Sequence, residues 1–292
     1  MTPLIWASRN GHLEVVKLLL DKGARINSRD RNGKSPLGRA ALGGHVNVAK
    51  LLVNKGAKLA VDERQTILFD FLVPLQTREM GNESEILSIL LDKEADVNYT
   101  RVWDGGTPLH IAAEIGRVEL MRALWERGAS FEVRDRWGES PLHRATLRGE
   151  VEAVRFLLDE GANPNALDNR GSSPLTAAAE YGDVEIARLL LQRGAEMDAR
   201  NLSGESPLHC AAKEGDLKMV RFLLIEGADV CAETNQGDTP RDVAEEYNEG
   251  FVEQSEEYLE VIRTLENWRT HGRFSMTQNY LFCVSTIASN PF

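Results

Sequence analysis

No run of apolar residues in this 292-residue chain approaches the roughly 18–20 that a membrane span needs. Cysteine is scarce. Cys210, Cys231 and Cys283 stand apart without a CxxC spacing, which argues against a disulfide framework or a zinc site and fits a reducing compartment. The N-terminus lacks the basic-then-apolar order of a signal peptide, so cytoplasm or nucleus is the expected location. No GxxxxGK(S/T), GxSxG or HExxH occurs. None of the six histidines has a cysteine or carboxylate spaced to complete a metal site or activate a nucleophile. No enzymatic activity, metal or cofactor is expected.

The net charge of -11 is unevenly spread. Residues 233–267 hold eleven acidic and two basic residues, whereas residues 1–232 hold 34 acidic and 30 basic. With no basic bias across a face, nucleic acid is not an expected partner.

What the chain has is a refrain. It reads Thr2-Pro3-Leu4, Ser35-Pro36-Leu37, an imperfect Thr66-Ile67-Leu68, Thr107-Pro108-Leu109, Ser140-Pro141-Leu142, Ser173-Pro174-Leu175, Ser206-Pro207-Leu208 and Thr239-Pro240-Arg241. Five of the seven steps are 33 residues long, the other two being 31 and 41. A fixed period of this size marks a stack of repeated units. Within one unit, Ser140 is a helix N-cap, Pro141 sits at the first helical position where its missing N–H costs nothing, and Leu142 starts an apolar stripe. Gly149 closes that helix. A second follows over Val151–Glu160, with Val151, Val154, Leu157 and Leu158 on one face, until Gly161-Ala162-Asn163 breaks it. A pair this small cannot bury its apolar face alone, so it must stack on its copies.

Thr107-Pro108-Leu109-His110-Ile111-Ala112 resembles the signature of the ankyrin repeat, and Gly11–Leu20 and Gly227-Ala228-Asp229 are similar to the family's second helix and exit turn. The resemblance covers about residues 1–267. It implies an all-α solenoid of stacked helix-turn-helix units with projecting β-hairpin loops, about eight in number. The expected units are 1–29, 30–62, an irregular 63–101, 102–134, 135–167, 168–200, 201–233 and a capping 234–267, followed by a non-repeat tail, 268–292. It also implies a non-catalytic scaffold or adaptor that binds a protein partner through hairpin tips and concave face. The alternative is a sensor or targeting segment of a larger multidomain protein. A monomer is expected.

The departures from the pattern carry the remaining expectations. The third unit lacks two hairpin residues and its glycine, with Pro74 ending its first helix and an exposed loop over 76–84. That loop is either a tolerated insertion, a private docking element, or a weak joint dividing the array into residues 1–62 and 99–267. The chain enters directly at a helix cap, with Trp6 at a core position, which favours a fragment of a longer array. The glutamates between Glu245 and Glu260 give the last unit either a solvated cap or a surface for a basic partner. Leu90 with Asp96-Val97-Asn98 resembles the pattern hydroxylated on asparagine in this family, set against the plainer reading of a turn residue. His110, His143 and His209 recur at one place per unit, as expected of a hydrogen-bonding role at the cap.

By the family's mode of binding, the tip positions include Arg64/Gln65, Trp103 and Arg136/Trp137. Of all tip and first-helix positions, Trp103, Ile115, Arg136, Trp137, Leu147, Arg148, Arg170 and Tyr181 form the candidate partner-binding patch. Exposed Trp and Arg are the residues most enriched at interface hot spots.

Overall fold

The computed structural model describes residues 1–76, 81–249 and 255–271. Two compact units divide the chain, Met1–Asn163 and Pro164 onward. In the first, α1 (Pro3–Arg9) and α2 (Leu13–Asp21) form a pair, as do α3 (Pro36–Leu42) and α4 (Val46–Asn54). Three more pairs follow: α5 (Val61–Leu72) with α6 (Glu83–Asp92), α7 (Pro108–Glu114) with α8 (Val118–Trp125), and α9 (Pro141–Leu147) with α10 (Val151–Asp159). The second unit holds α11 (Pro174–Glu180) with α12 (Val184–Gln192), α13 (Pro207–Lys213) with α14 (Leu217–Glu226), and α15 (Pro240–Glu249) with α16 (Glu256–His271). Within each unit, first helices pack on first helices and second on second, making two layers around a core of Leu, Ala and Ile. Among the described residues there is no strand.

The refrain sets the helix starts. Ser35, Ser140 and Ser173 each accept the backbone N–H three residues on, at 3.1, 3.4 and 3.2 Å, and proline follows each cap. The histidines complete these caps. His110 Nδ1 accepts the Thr107 N–H at 3.0 Å while its Nε2 donates to the Glu139 carbonyl at 3.1 Å, one repeat further on. His209 repeats the arrangement with Ser206 and Asp238. Burial pushes His110 down to about 4, against the opposing pull of the Glu139 carbonyl and Asp135. The ring is therefore a neutral strut between repeats rather than a titrating catalyst.

Two further side-chain joints tie neighbours. At several repeats the residue after a helix-ending glycine leans back over the preceding repeat, as Glu150 does at Gly116 and Asp216 at Gly182: His45 Nε2 meets the Arg9 carbonyl at 2.9 Å and lies so close to Gly11 (φ 74°) that a Cβ there would sit 2.5 Å from the ring. At the second-helix exits, Asn27 accepts the Lys58 N–H at 3.0 Å, and Asn98 accepts the Ser130 N–H at 3.0 Å while donating to the Gly128 carbonyl at 2.9 Å. In the second unit Asn165 does the same to Glu196 and Gly194. Asn98 is thus one rung of a recurring ladder.

Several expectations need correction. Thr66 caps nothing. α5 starts at Val61, five residues earlier, because Asp62 and Glu63 favour a first turn and Glu63 accepts the Ala60 N–H at 3.4 Å. Arg64 and Gln65 are consequently helical, and the third unit has no finger at all rather than a shortened one. Pro74 does fall at the helix end, in a 3₁₀ turn over Val73–Gln76. Glu83 and Ser84 already belong to α6, and the rest of the expected loop partly lies outside the described residues. Trp6, read as core, is 49% exposed, its ring meeting that of His12 at 5.2 Å between centroids. The helix of the last unit runs to His271, and 272–292 lies outside the described residues.

Candidate functional site

Between helix pairs the chain projects as a finger, closed by one backbone pair. In the first unit Asp30 N–H donates to the Lys34 carbonyl, Arg101 to Gly106 and Asp135 to Glu139, at 3.1, 2.9 and 3.0 Å. Hairpin aspartates organise the turns: Asp30 Oδ1 accepts from Asn32 N at 2.8 Å and Lys34 N at 3.0 Å, and Asp135 Oδ1 from Trp137 N at 2.9 Å and Glu139 N at 3.0 Å. Neighbouring fingers are joined where Arg136 N–H donates to the Asp104 carbonyl at 2.7 Å.

Two tryptophans ride on those joined fingers. Trp103 is 62% exposed and Trp137 48%. Each has a guanidinium against its ring, Arg101 at 4.3 Å from the Trp103 centroid and Arg144 at 4.9 Å from that of Trp137. These arginines are held in turn by carboxylates. Arg101 pairs with the buried Asp104, and Arg144 pairs with Asp135 at 2.5 Å, Glu139 at 2.7 Å and Glu114 at 3.6 Å. Burial draws the Arg144 pKa down, but the three carboxylates outweigh it and hold it above the ordinary value. Glu114 also takes Arg148 at 2.5 Å. Ile115 and Leu147 are half-buried beside them, and Arg136 and Arg148 are exposed.

Six of the candidate residues therefore stand in the first unit. Arg170 and Tyr181 belong to the second, where Tyr181 is 63% exposed at the end of α11 and Arg170 pairs with Asp168 at 3.2 Å and Glu180 at 4.0 Å. Sequence reasoning missed the arginines under the tryptophans. The signal for Arg144 was its place two residues past the signature leucine, where Ile111 stands in the repeat before.

A family model for ankyrin repeats in three copies matches residues 1–63, 77–168 and 160–234. The chain belongs to the ankyrin repeat family. The unmatched stretch between 63 and 77 coincides with α5, where the finger is missing. Ankyrin repeats are generally protein–protein interaction modules, and the family is typically non-catalytic. The chain is 36% identical over 140 residues to the human ankyrin repeat and KH domain-containing protein 1, which covers 48% of the chain. It is 34% identical over 127 residues, 44% of the chain, to ankyrin repeat and KH domain-containing protein mask-1 of Caenorhabditis elegans. It spans only 4% of the length of either relative.

Charge divides these ankyrin repeats in a way the average over residues 1–232 conceals. Residues 1–60 carry eleven basic and three acidic side chains. The first unit is nonetheless balanced, with 23 of each, and the whole net charge of -11 belongs to residues 164–292.

Proposed function

We propose that the first unit docks a partner protein across the fingers bearing Trp103 and Trp137. The carrying observation is that both rings are largely exposed yet stacked on anchored arginines, so little side-chain freedom is lost when a partner covers them. Arg136 and Arg148 supply charge at the rim, with Ile115 and Leu147 as apolar floor. Arg170 and Tyr181 offer similar chemistry by themselves on the second unit. The chain acts as a non-catalytic adaptor in the cytoplasm or nucleus.

The test is proximity capture with the wild-type chain and with Trp137→Ala/Arg136→Ala, followed by affinity measurement on the strongest purified partner. The expected result is a loss of about tenfold or more in affinity with the same melting temperature. An unchanged captured set and unchanged affinity would sink the reading.

A further inference from the structure

α2 keeps an apolar face open to solvent. Val15, Leu18 and Lys22 share it at i, i+3 and i+7, with Val15 45% and Leu18 59% exposed. Val48, the counterpart of Val15 on α4, is only 1% exposed, with α2 packed on α4. Cations flank this face in an arrangement the later repeats do not copy. Lys22 ends α2 and Arg25 stands three residues on, while Lys55 and Lys58 hold the same two places after α4. The two exits are neighbours, joined where the Lys58 N–H donates to Asn27 at 3.0 Å and Lys55 meets Asp21 at 3.7 Å. The later counterparts of Arg25 and Lys58 are Asp96, Ser130, Asn163, Glu196 and Asp229, none of them basic. Lys22, Arg25 and Lys58 are exposed and make no ion pair among the described residues.

We propose that this face of the first repeat docks on a lipid bilayer with anionic headgroups, resting at headgroup level without crossing it. This goes beyond the reading of the tryptophan fingers and does not depend on it. An anionic bilayer offers both things the face lacks, negative charge for the unpaired cations and a water-poor layer for Leu18 and Val15. A nucleic-acid strand would neutralise the cations but leave those two side chains in water. The long stems of Lys22 and Arg25 lie along the apolar surface while their charges reach the phosphates. The chain as a whole carries -11, which an anionic surface repels. A charge acts over only about 8 Å at physiological salt, however, so the bilayer responds to the local face rather than to the total. Locally the balance is positive, with eleven basic and three acidic residues over 1–60.

The test is co-sedimentation of the full chain with vesicles of phosphatidylcholine alone and with about 30% phosphatidylserine added. A lipid-free control and titration with a single-stranded RNA accompany it. The chain pellets with the anionic vesicles only, and added salt weakens the binding. Lys22→Gln/Arg25→Gln weakens it about twentyfold, at about fivefold for each cation. Leu18→Ser weakens it about tenfold by removing apolar contact. All three positions are exposed, and melting curves recorded alongside show that the fold is kept. Lys218→Gln takes an exposed cation from the second unit instead and leaves binding unchanged. Equal pelleting with uncharged vesicles, no pelleting with either, pelleting without lipid, tighter binding to the RNA, or an equal loss by Lys218→Gln would each overturn the proposal.

Discussion

Glu63 shows how much one side chain can carry between repeats. In the units capped by His110, His143 and His209, the ring nitrogen accepts the N–H of the Thr or Ser that begins the helix, at 3.0, 3.3 and 3.1 Å. The second repeat has Gly38 at that place, and the Ser35 N–H is accepted instead by Glu63 Oε1, at 3.0 Å, from the following repeat. Glu63 is 2% exposed and occupies the space a side chain on Gly38 would need. Glu63→Ala therefore leaves a buried N–H unpaired and should cost about 2–3 kcal/mol. Gly38→His alone should also destabilise, since the ring collides with the carboxylate. The double variant Gly38→His/Glu63→Ala should recover at least half of the loss. Urea unfolding of the four proteins checks this, and additive effects would refute the substitution of roles.

At the scale of the element, the same stretch shows where sequence sufficed and where it did not. The regular first helices were legible because a cap, a proline and a closing glycine all agree on one register, as at Ser140-Pro141 and Gly149. Thr66-Ile67-Leu68 imitates the refrain without the proline, and the local first-turn preference of Asp62-Glu63 wins. Thr66 then lies mid-helix, its hydroxyl turned back to the Asp62 carbonyl at 3.5 Å. Thr66→Ala should accordingly change stability by less than about 0.5 kcal/mol, whereas Ser140→Ala should cost about 1–2 kcal/mol. Chemical denaturation of the two variants decides between a cap and a bystander. The exposed tryptophans were legible as finger residues. Arg101 and Arg144 beneath them were not, because they depend on which repeats face each other rather than on any local pattern. Trp6 fails for the same reason, since register predicts a face but only a neighbour can cover it.

For the whole molecule, the histidine struts predict a specific acid response. The His110 pKa falls from 6.5 to about 4 on folding, and that of His209 falls in the same direction. Between those two values the unfolded chain binds the proton and the folded chain does not, so stability rises with pH in that window. The contribution is fully present above about pH 6.5 and is lost as pH falls toward 4. For His110 the loss should reach about 2 kcal/mol at pH 5. Asp30 and Asp242, whose pKa values are lowered, act only below the ordinary carboxylate range and leave this window clear. His110→Thr, copying Thr176 at the same place in its own repeat, should flatten the dependence. Melting temperatures at pH 7 and pH 5 for both proteins provide the check, and an unchanged slope would contradict it.

The Gly38–Glu63 exchange also bears on how such an array can be copied. A repeat that carries its own cap histidine supplies the acceptor for its own first N–H. The unit with Gly38 has lent that task to its neighbour, and the neighbour has given up its finger over the same stretch. Neither can be gained or lost alone without leaving a buried donor or a misplaced carboxylate. The two repeats are therefore interdependent at this point, and exchanging either one alone at the repeat period should destabilise the array.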